Sequence, residues 1–82
     1  MQLRDIQYVV TVAHQSSFSK AAQLLFISQP ALSQSVRRLE NELGVPLFIR
    51  ENNTVRLTAA GKIFVADGLE ILHMSNALKT KM

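Results

Sequence analysis

The chain of 82 residues contains no cysteine, which excludes disulfide bonds and thiolate metal sites. Its only histidines are His14 and His73, so a structural zinc site would need an improbable set of ligands. The three glycines are far apart, which argues against a glycine-rich loop around phosphate groups. No nucleophile, base and orienting group stand out as a set. We therefore expect no metal, no cofactor and no enzymatic activity.

Long apolar runs and an amino-terminal secretion signal are also missing. No apolar run approaches the roughly 20 residues that a transmembrane helix needs. No basic segment followed by an apolar core begins the chain. We therefore expect a cytoplasmic protein that does not contact a membrane. Charged residues make up 18% and the formal net charge is +3, which permits binding to a polyanion without requiring it.

Hydrophobic residues make up 48%, and in the first part of the chain their spacing predicts two helices. Residues 2–14 place one apolar stripe on a helix face: Leu3, Ile6, Val9, Val10, Val12 and Ala13. Ser19 is the predicted N-cap of a second helix over residues 20–26, with the apolar Phe18 just before it. We expect Leu24, Leu25 and Ile27 to face the core.

The clearest helical pattern comes next. Ser28 is the predicted N-cap, and Pro30 lies in the first turn, where its missing N–H group costs nothing. The apolar stripe of this third helix spans about 60° around its axis and consists of Leu32, Val36, Leu39 and Leu43. Gly44 is suited to end the helix, and Pro46 prevents its continuation.

A hairpin and a long helix complete the predicted order. Residues 47–50 and 55–57 alternate in polarity around a polar turn, which indicates a two-stranded wing. Asn52 and Asn53 in that turn tolerate positive φ. Thr58 then caps a fourth helix. The order predicts a mostly α fold: a winged helix-turn-helix over residues 1–58, followed by a linker or dimerisation helix over residues 59–82.

Opposite its stripe, the third helix carries Pro30 and a row of polar side chains. They project about 100–200° away from Leu32 and include Pro30, Ser33, Gln34, Arg37 and Asn41, with Gln29 beside them. Glutamine pairs with adenine, and arginine favours guanine or phosphate. An ordinary solvated face is the competing interpretation, because every surface helix has one. The short uncharged side chains favour DNA reading, since glutamate and lysine form helices better than serine.

Three further basic residues each allow two interpretations. Arg50 and Arg56 in the hairpin either contact phosphates or the minor groove, or discourage pairing of the hairpin edge with another sheet. Lys20 near the start of the second helix either contacts a phosphate or is simply exposed.

The long fourth helix has an apolar face too wide for one small domain to cover. The residues concerned are Phe64, Leu69, Ile71, Leu72 and Leu78. Either a homodimer buries this face, or the face packs on the first helix of the same chain. We expect a mixture, in which the start of the helix lies in the core and residues 69–78 lie in a dimer interface.

Over essentially its whole length, the chain resembles the N-terminal DNA-binding domain of LysR-type transcriptional regulators. The segments that carry the resemblance jointly are SFSKAA at 17–22, SQPALS at 28–33, RLENELGVPLF at 38–48, VRLT at 55–58 and AG at 60–61. The resemblance implies a cytoplasmic bacterial protein that binds interrupted inverted repeats in promoter DNA. It also implies a third helix in the major groove, a wing near the minor groove and a homodimer through the last helix.

Carried over by position, the resemblance assigns base contacts to Gln29, Pro30, Ser33 and Gln34. It assigns phosphate contacts to Lys20, Ser28 and Arg37, and a contact near the wing to Arg50. We also predict phosphate or wing contacts for Arg38, Asn53 and Arg56. Members of this family normally continue into an effector-binding domain that holds a small-molecule effector and the contacts of a tetramer. Because that domain is absent from these residues, we expect an excised DNA-binding domain with its linker helix.

The chain departs from the family pattern at three places. Position 34 is often arginine and is glutamine here, which weakens that contact or changes the base it reads. Residues 52–54 are neutral where glycine and a basic residue are frequent, and Ile49 replaces a common acidic residue. The alternative function is a winged-helix module for protein association without DNA readout, which the modest net charge fits.

Overall fold

A computed structural model describes residues 1–52 and 54–82 and confirms the predicted order of elements. These elements are α1 (Leu3–Gln15), α2 (Phe18–Leu25), α3 (Gln29–Leu43), β1 (Phe48–Glu51), β2 (Thr54–Leu57) and α4 (Ala59–Lys81). The fold is a winged helix-turn-helix followed by a long helix. Within the described residues, no helix has both the length and the apolarity that a membrane crossing needs.

Hydroxyl groups cap the starts of α2, α3 and α4. Each accepts a hydrogen bond of 2.9–3.2 Å from the backbone N–H three residues further on, and the caps are Ser17, Ser28 and Thr58. The predictions for Ser28 and Thr58 are confirmed, whereas the predicted cap at Ser19 is wrong. The helix begins at Phe18, whose side chain is buried in the first turn of α2, so the cap is Ser17, two residues before the predicted Ser19.

The core lies where the first three helices meet the start of the wing. Its buried members are Val9, Val12, Phe18, Ala21, Ala22, Leu32, Val36, Leu39, Leu47 and Phe48. Burial of one such aliphatic side chain contributes about 1.5–3 kcal/mol. The predicted stripes of α1 and α3 are therefore confirmed in their centres. Their outermost members, Leu3 and Leu43, stand at helix ends and are 49% and 40% exposed.

The outer side of α2 differs from the prediction. Leu25 and Ile27 pack half-buried against the core, but Leu24 is 57% exposed, so its predicted core position is wrong. The buried face of α2 is formed by Ala21 and Ala22. Leu24 follows Ala22 by two residues, which turns its side chain about 200° around the helix and away from the core.

The two strands form the predicted antiparallel hairpin. Phe48 lies opposite Leu57, and Arg50 lies opposite Val55. Since side chains alternate between the faces of a strand, these four residues share one face, and the apolar ones pack on the core. Asn52 has a positive φ of 47°, a conformation that asparagine was expected to tolerate in this turn, while Asn53 lies outside the described residues.

Two glycines allow α4 to approach the rest of the fold closely, and both are buried. A Cβ atom on Gly68 would lie 2.8 Å from the Ile6 side chain of α1. A Cβ atom on Gly61 would lie 2.9 Å from the Leu57 side chain and would overlap the backbone carbonyl oxygen of Leu47. The helix therefore packs closely on α1 at Gly68, and on β2 and the residue before β1 at Gly61.

The apolar residues of α4 separate into two groups. Phe64 packs against the core, which confirms that the start of the helix joins the core. Leu72, within the segment predicted for the dimer, is half-buried. Four exposed side chains lie within about 80° of one another around the axis: Ile63, Ile71, Met74 and Leu78. We call these four residues the outer α4 face. Leu69 is also exposed but points at least about 120° away from them.

We predict that Gly61→Ala destabilises the protein, although alanine forms helices better than glycine by about 1 kcal/mol. The new methyl group meets the Leu47 carbonyl, a backbone atom that cannot rotate away, and overpacking of this kind costs about 1–3 kcal/mol. Thermal unfolding followed by circular dichroism should show a lower Tm, by about 4–8 °C for each net kcal/mol. Gly68→Ala, whose methyl group meets only a side chain, is the control and should lose less. A Tm for Gly61→Ala at or above that of the wild type would contradict this account.

Candidate nucleic-acid interface

The burial of one side of α3 determines which side chains this helix turns outward. Leu32 and Val36 are almost fully buried. On the other side of the helix, the four residues predicted to contact bases remain accessible, with Ser33 half-buried and the rest exposed: Gln29, Pro30, Ser33 and Gln34. We call these four residues the reading face.

A hydrogen bond within the reading face orders two of its side chains. Gln29 Nε2 donates to Ser33 Oγ over 2.8 Å, one helical turn further on. Among the residues that the structure describes, the Gln29 amide oxygen, its second N–H and the Ser33 hydroxyl proton have no further side-chain partner. Together they offer one acceptor and two donors, a set that matches the donor and acceptor on the major-groove edge of adenine.

The start of α3 is suited to an anion. Ser28 is exposed, and its hydroxyl already accepts the N–H of Ala31. The backbone N–H of Gln29 in the first turn has no carbonyl partner within the helix, and the helix dipole places partial positive charge there. Backbone N–H groups at such an end bind phosphate oxygens in many proteins. Lys20, exposed in the first turn of α2, adds a mobile cation.

The two adjacent arginines of α3 face different parts of the molecule. Arg37 and Arg38 are both exposed but lie about 100° apart around the helix. The charge of Arg37 contributes to lowering the pKa of Arg50 in the wing. Arg38 lines a groove between α3 and the start of α1, together with Arg4. The structure therefore separates two cations that the prediction grouped together.

The wing separates its two arginines as well. Arg56 lies opposite Ile49, which places its side chain on the face of the hairpin away from Arg50. Its guanidinium lies 4.0 Å from the Glu51 carboxylate, and both side chains are more than 60% exposed. Such an exposed pair is weak.

Arg50 rests on an aromatic ring. Its guanidinium carbon lies 3.7 Å from the centre of the Phe18 ring, whose neighbour in the core is Phe48, edge-on at 5.6 Å. Burial lowers the pKa of Arg50, the charge of Glu40 raises it, and the charge of Arg37 lowers it. The guanidinium stays protonated at neutral pH because its pKa starts so high.

A cleft of about 390 Å³ between the start of α3 and the wing brings several of these groups together. Gln29 of the reading face and Arg50 line it, along with Ser17, Ser19 and Thr54. Lys20, Arg37, Arg38 and Arg56 do not line this cleft. The cleft therefore connects the reading face to one arginine of the wing.

Two residues of this region were not singled out from the sequence. Glu40 Oε2 accepts hydrogen bonds from the backbone N–H groups of Leu47 over 2.7 Å and of Phe48 over 3.3 Å, which ties α3 to the start of the wing. Phe18 was predicted only as the residue before a cap. A hint to its role was present in the spacing of Phe48 and Arg50, which puts an aromatic and a cation on the same face of a strand.

Comparison with known proteins now adds to this geometry. A family model described as "Bacterial regulatory helix-turn-helix protein, lysR family" matches residues 3–62. The HTH-type transcriptional regulator BudR of Klebsiella aerogenes is 48% identical over 81 residues, which cover 99% of this chain and 57% of that protein. The Hca operon transcriptional activator HcaR of Escherichia coli (strain K12) is 46% identical over 81 residues, which cover 99% of this chain and 27% of that protein. The chain thus spans only part of the length of these relatives.

Solved structures are similar over almost the entire chain. The crystal structure of the BenM DBD complex with catB site 1 DNA superposes with a TM-score of 0.96 at 36% identity, covering 99% of this chain and 90% of that chain. The CbnR DBD complex with DNA gives a TM-score of 0.93 at 33% identity, covering 99% and 93%. With the family match over residues 3–62, these likenesses show that the chain belongs to the lysR family of bacterial regulatory helix-turn-helix proteins.

Proposed function

We propose that this chain binds double-stranded promoter DNA sequence-specifically as the DNA-binding part of a bacterial transcription regulator. The observation that carries the proposal is the reading face, in which Pro30 and three hydrogen-bonding side chains are accessible on a helix whose Leu32 and Val36 are buried in the core. The family match, the relatives named as transcriptional regulators and the similar domains crystallised with DNA support it. Since its target is the bacterial chromosome, we place the protein in the cytoplasm.

In this proposal α3 lies in the major groove, which is wide enough to admit a helix. Gln29, Ser33 and Gln34 read base edges, while Pro30 packs against them. The phosphates on either side are contacted by Ser28 at the helix start and by the cations Lys20, Arg37, Arg38 and Arg50. Such backbone contacts set the orientation of the protein, and the base contacts supply the sequence preference.

We further propose that two copies pair through the outer α4 face. Its four apolar side chains are exposed in the single chain, and a second copy would bury them. The sequence also suggested Leu69, Phe64 and Leu72 for the interface. They are left out of this proposal, because Leu69 points to another side of α4 and the other two are half-buried, Phe64 against the core. A two-fold dimer would present two α3 helices to an inverted repeat with half-sites separated by whole turns of DNA.

No catalytic role is assigned to these residues, because the matched relatives are transcription regulators. Those relatives are longer than this chain. We propose that binding of a small-molecule effector and assembly of a tetramer are properties of the remaining length of such a regulator.

We predict that Ser33→Ala combined with Gln34→Ala abolishes most of the sequence preference. The probe is a duplex enriched from a random library by repeated rounds of binding to the wild-type chain. Each good base contact is worth about 1–3 kcal/mol, so the double variant should bind this duplex at least about 30-fold more weakly. Binding to unselected DNA should change little, because phosphate contacts remain. Gln7→Ala, which removes an exposed amide from α1, is the control. Unchanged affinity of the double variant would show that another surface reads the bases.

Salt titration separates DNA binding from a module that only associates with proteins. Each phosphate neutralised on duplex DNA contributes about −0.9 to the slope of log K against log salt concentration. We predict a steep slope for the wild type and a slope shallower by about 1 for Arg37→Ala. Filter binding or fluorescence anisotropy at several salt concentrations measures both slopes. No binding, or binding independent of salt, would favour the association module.

We predict that Ile71→Asp combined with Leu78→Asp converts the dimer into a monomer. Carboxylates on the outer α4 face would have to be buried without partners in the paired state. Light scattering after size exclusion gives the mass directly. Leu69→Asp introduces the same charge on another side of α4 and should leave the dimer intact. If Leu69→Asp dissociates the dimer and the double variant does not, the interface lies on the Leu69 side.

A further inference from the structure

The contact between Phe18 and Arg50 joins the hydrophobic core to the wing. Phe18 is only 6% exposed, and its ring meets Phe48 edge-on at an interplanar angle of 71°. One face of the same ring lies under the Arg50 guanidinium, 3.7 Å from the ring centre. The ring is therefore held by the core on one side and contacts a wing cation on the other.

The stacking replaces an ion pair as the restraint on Arg50. Among the described residues, no carboxylate oxygen lies within 4.0 Å of the Arg50 guanidinium, unlike that of Arg56. A planar guanidinium stacks on aromatic faces, where the negative charge density of the ring attracts it. Stacking leaves the N–H groups at the guanidinium edge free, and these are the groups that bind phosphate oxygens in pairs.

The location of Arg50 gives this restraint a consequence for binding. Arg50 lines the cleft between the start of α3 and the wing, where Gln29 of the reading face also lies. A free arginine side chain loses rotamer entropy when a ligand orders it. A guanidinium already held in place loses less of it on binding, which raises affinity.

We propose that Phe18 is a positioning residue for DNA binding: its ring holds the Arg50 guanidinium at the wing side of the reading face before DNA arrives. This inference rests on the proposed function, because Arg50 is taken to contact the DNA backbone. Phe18 itself touches no DNA and acts only through Arg50. The same ring thereby serves the core and the interface.

The test weakens the ring's attraction for a cation while keeping its volume. Phenylalanine with one, two or three fluorine atoms is placed at position 18 of the full chain by stop-codon suppression. Each fluorine withdraws negative charge from the ring face, so affinity for the selected duplex should fall stepwise, by about 2–5-fold at three fluorines. In the Arg50→Ala background the same series should change affinity by less than this. The same substitutions at Phe64, which packs on the same core, are the matched control and should leave affinity unchanged.

A measurement without DNA checks the geometry separately. Protons of the Arg50 side chain above a ring face should have upfield-shifted NMR resonances in the wild type, and Phe18→Leu should remove the shift. Equal affinity across the fluorine series, an equal decline in the Arg50→Ala background, or full affinity of Arg50→Ala itself would each overturn the positioning role. If the wild type binds no selected duplex, the proposed function fails as well. Retained binding with a flat fluorine series overturns the positioning role alone.

Discussion

The burial of one stripe of α3 is the constraint on which the rest of this structure depends. Leu32, Val36 and Leu39 lie between α1, α2 and the start of the wing. Their burial determines which side of α3 faces the solvent. Because a helix turns about 100° per residue, the same burial directs Gln34 outward. The hydrophobic effect thus orients a set of amide and hydroxyl groups that contribute nothing to the core. A surface of this kind supports DNA binding because its orientation is determined before any partner is present.

Polar contacts then attach the wing to this helix. The Glu40 carboxylate accepts two backbone N–H groups at the start of β1, and Thr58 bonds both the Pro46 carbonyl and the first turn of α4. The hydrogen bonds that the Glu40 carboxylate accepts are charge-assisted and therefore stronger than neutral ones. The stacked Phe18 and Arg50 add a link from the core to the other end of β1. The interface therefore consists of a helix and a wing held in one arrangement by contacts within a single small domain.

Much of the fold follows from local pattern, and the differences come from tertiary packing. The stripe of α3, the caps at Ser28 and Thr58 and the hairpin were predictable because spacing and turn chemistry determine them locally. The outward direction of the reading face was predictable from its angle around the helix axis relative to Leu32. Three features depend on partners distant in sequence: the early start of α2 at the buried Phe18, the close packing of α4 through its glycines, and the stacking of Arg50 on the Phe18 ring. Periodicity describes one element at a time, so it does not reveal that Arg50 of β1 contacts the Phe18 ring of α2. The DNA contacts assigned to individual residues and the dimer interface on α4 stay predictions.

The most direct test of the central claim is an amide NMR titration of the chain with the selected duplex. The account predicts that backbone and side-chain amide signals of residues 29–34 shift most. It also predicts nuclear Overhauser contacts between the Gln34 side chain and base protons in the major groove. Signals from the outer face of α4 should be affected far less. The account would be contradicted if the signals of residues 29–34 stayed unmoved while those of α4 or the outer side of α2 changed.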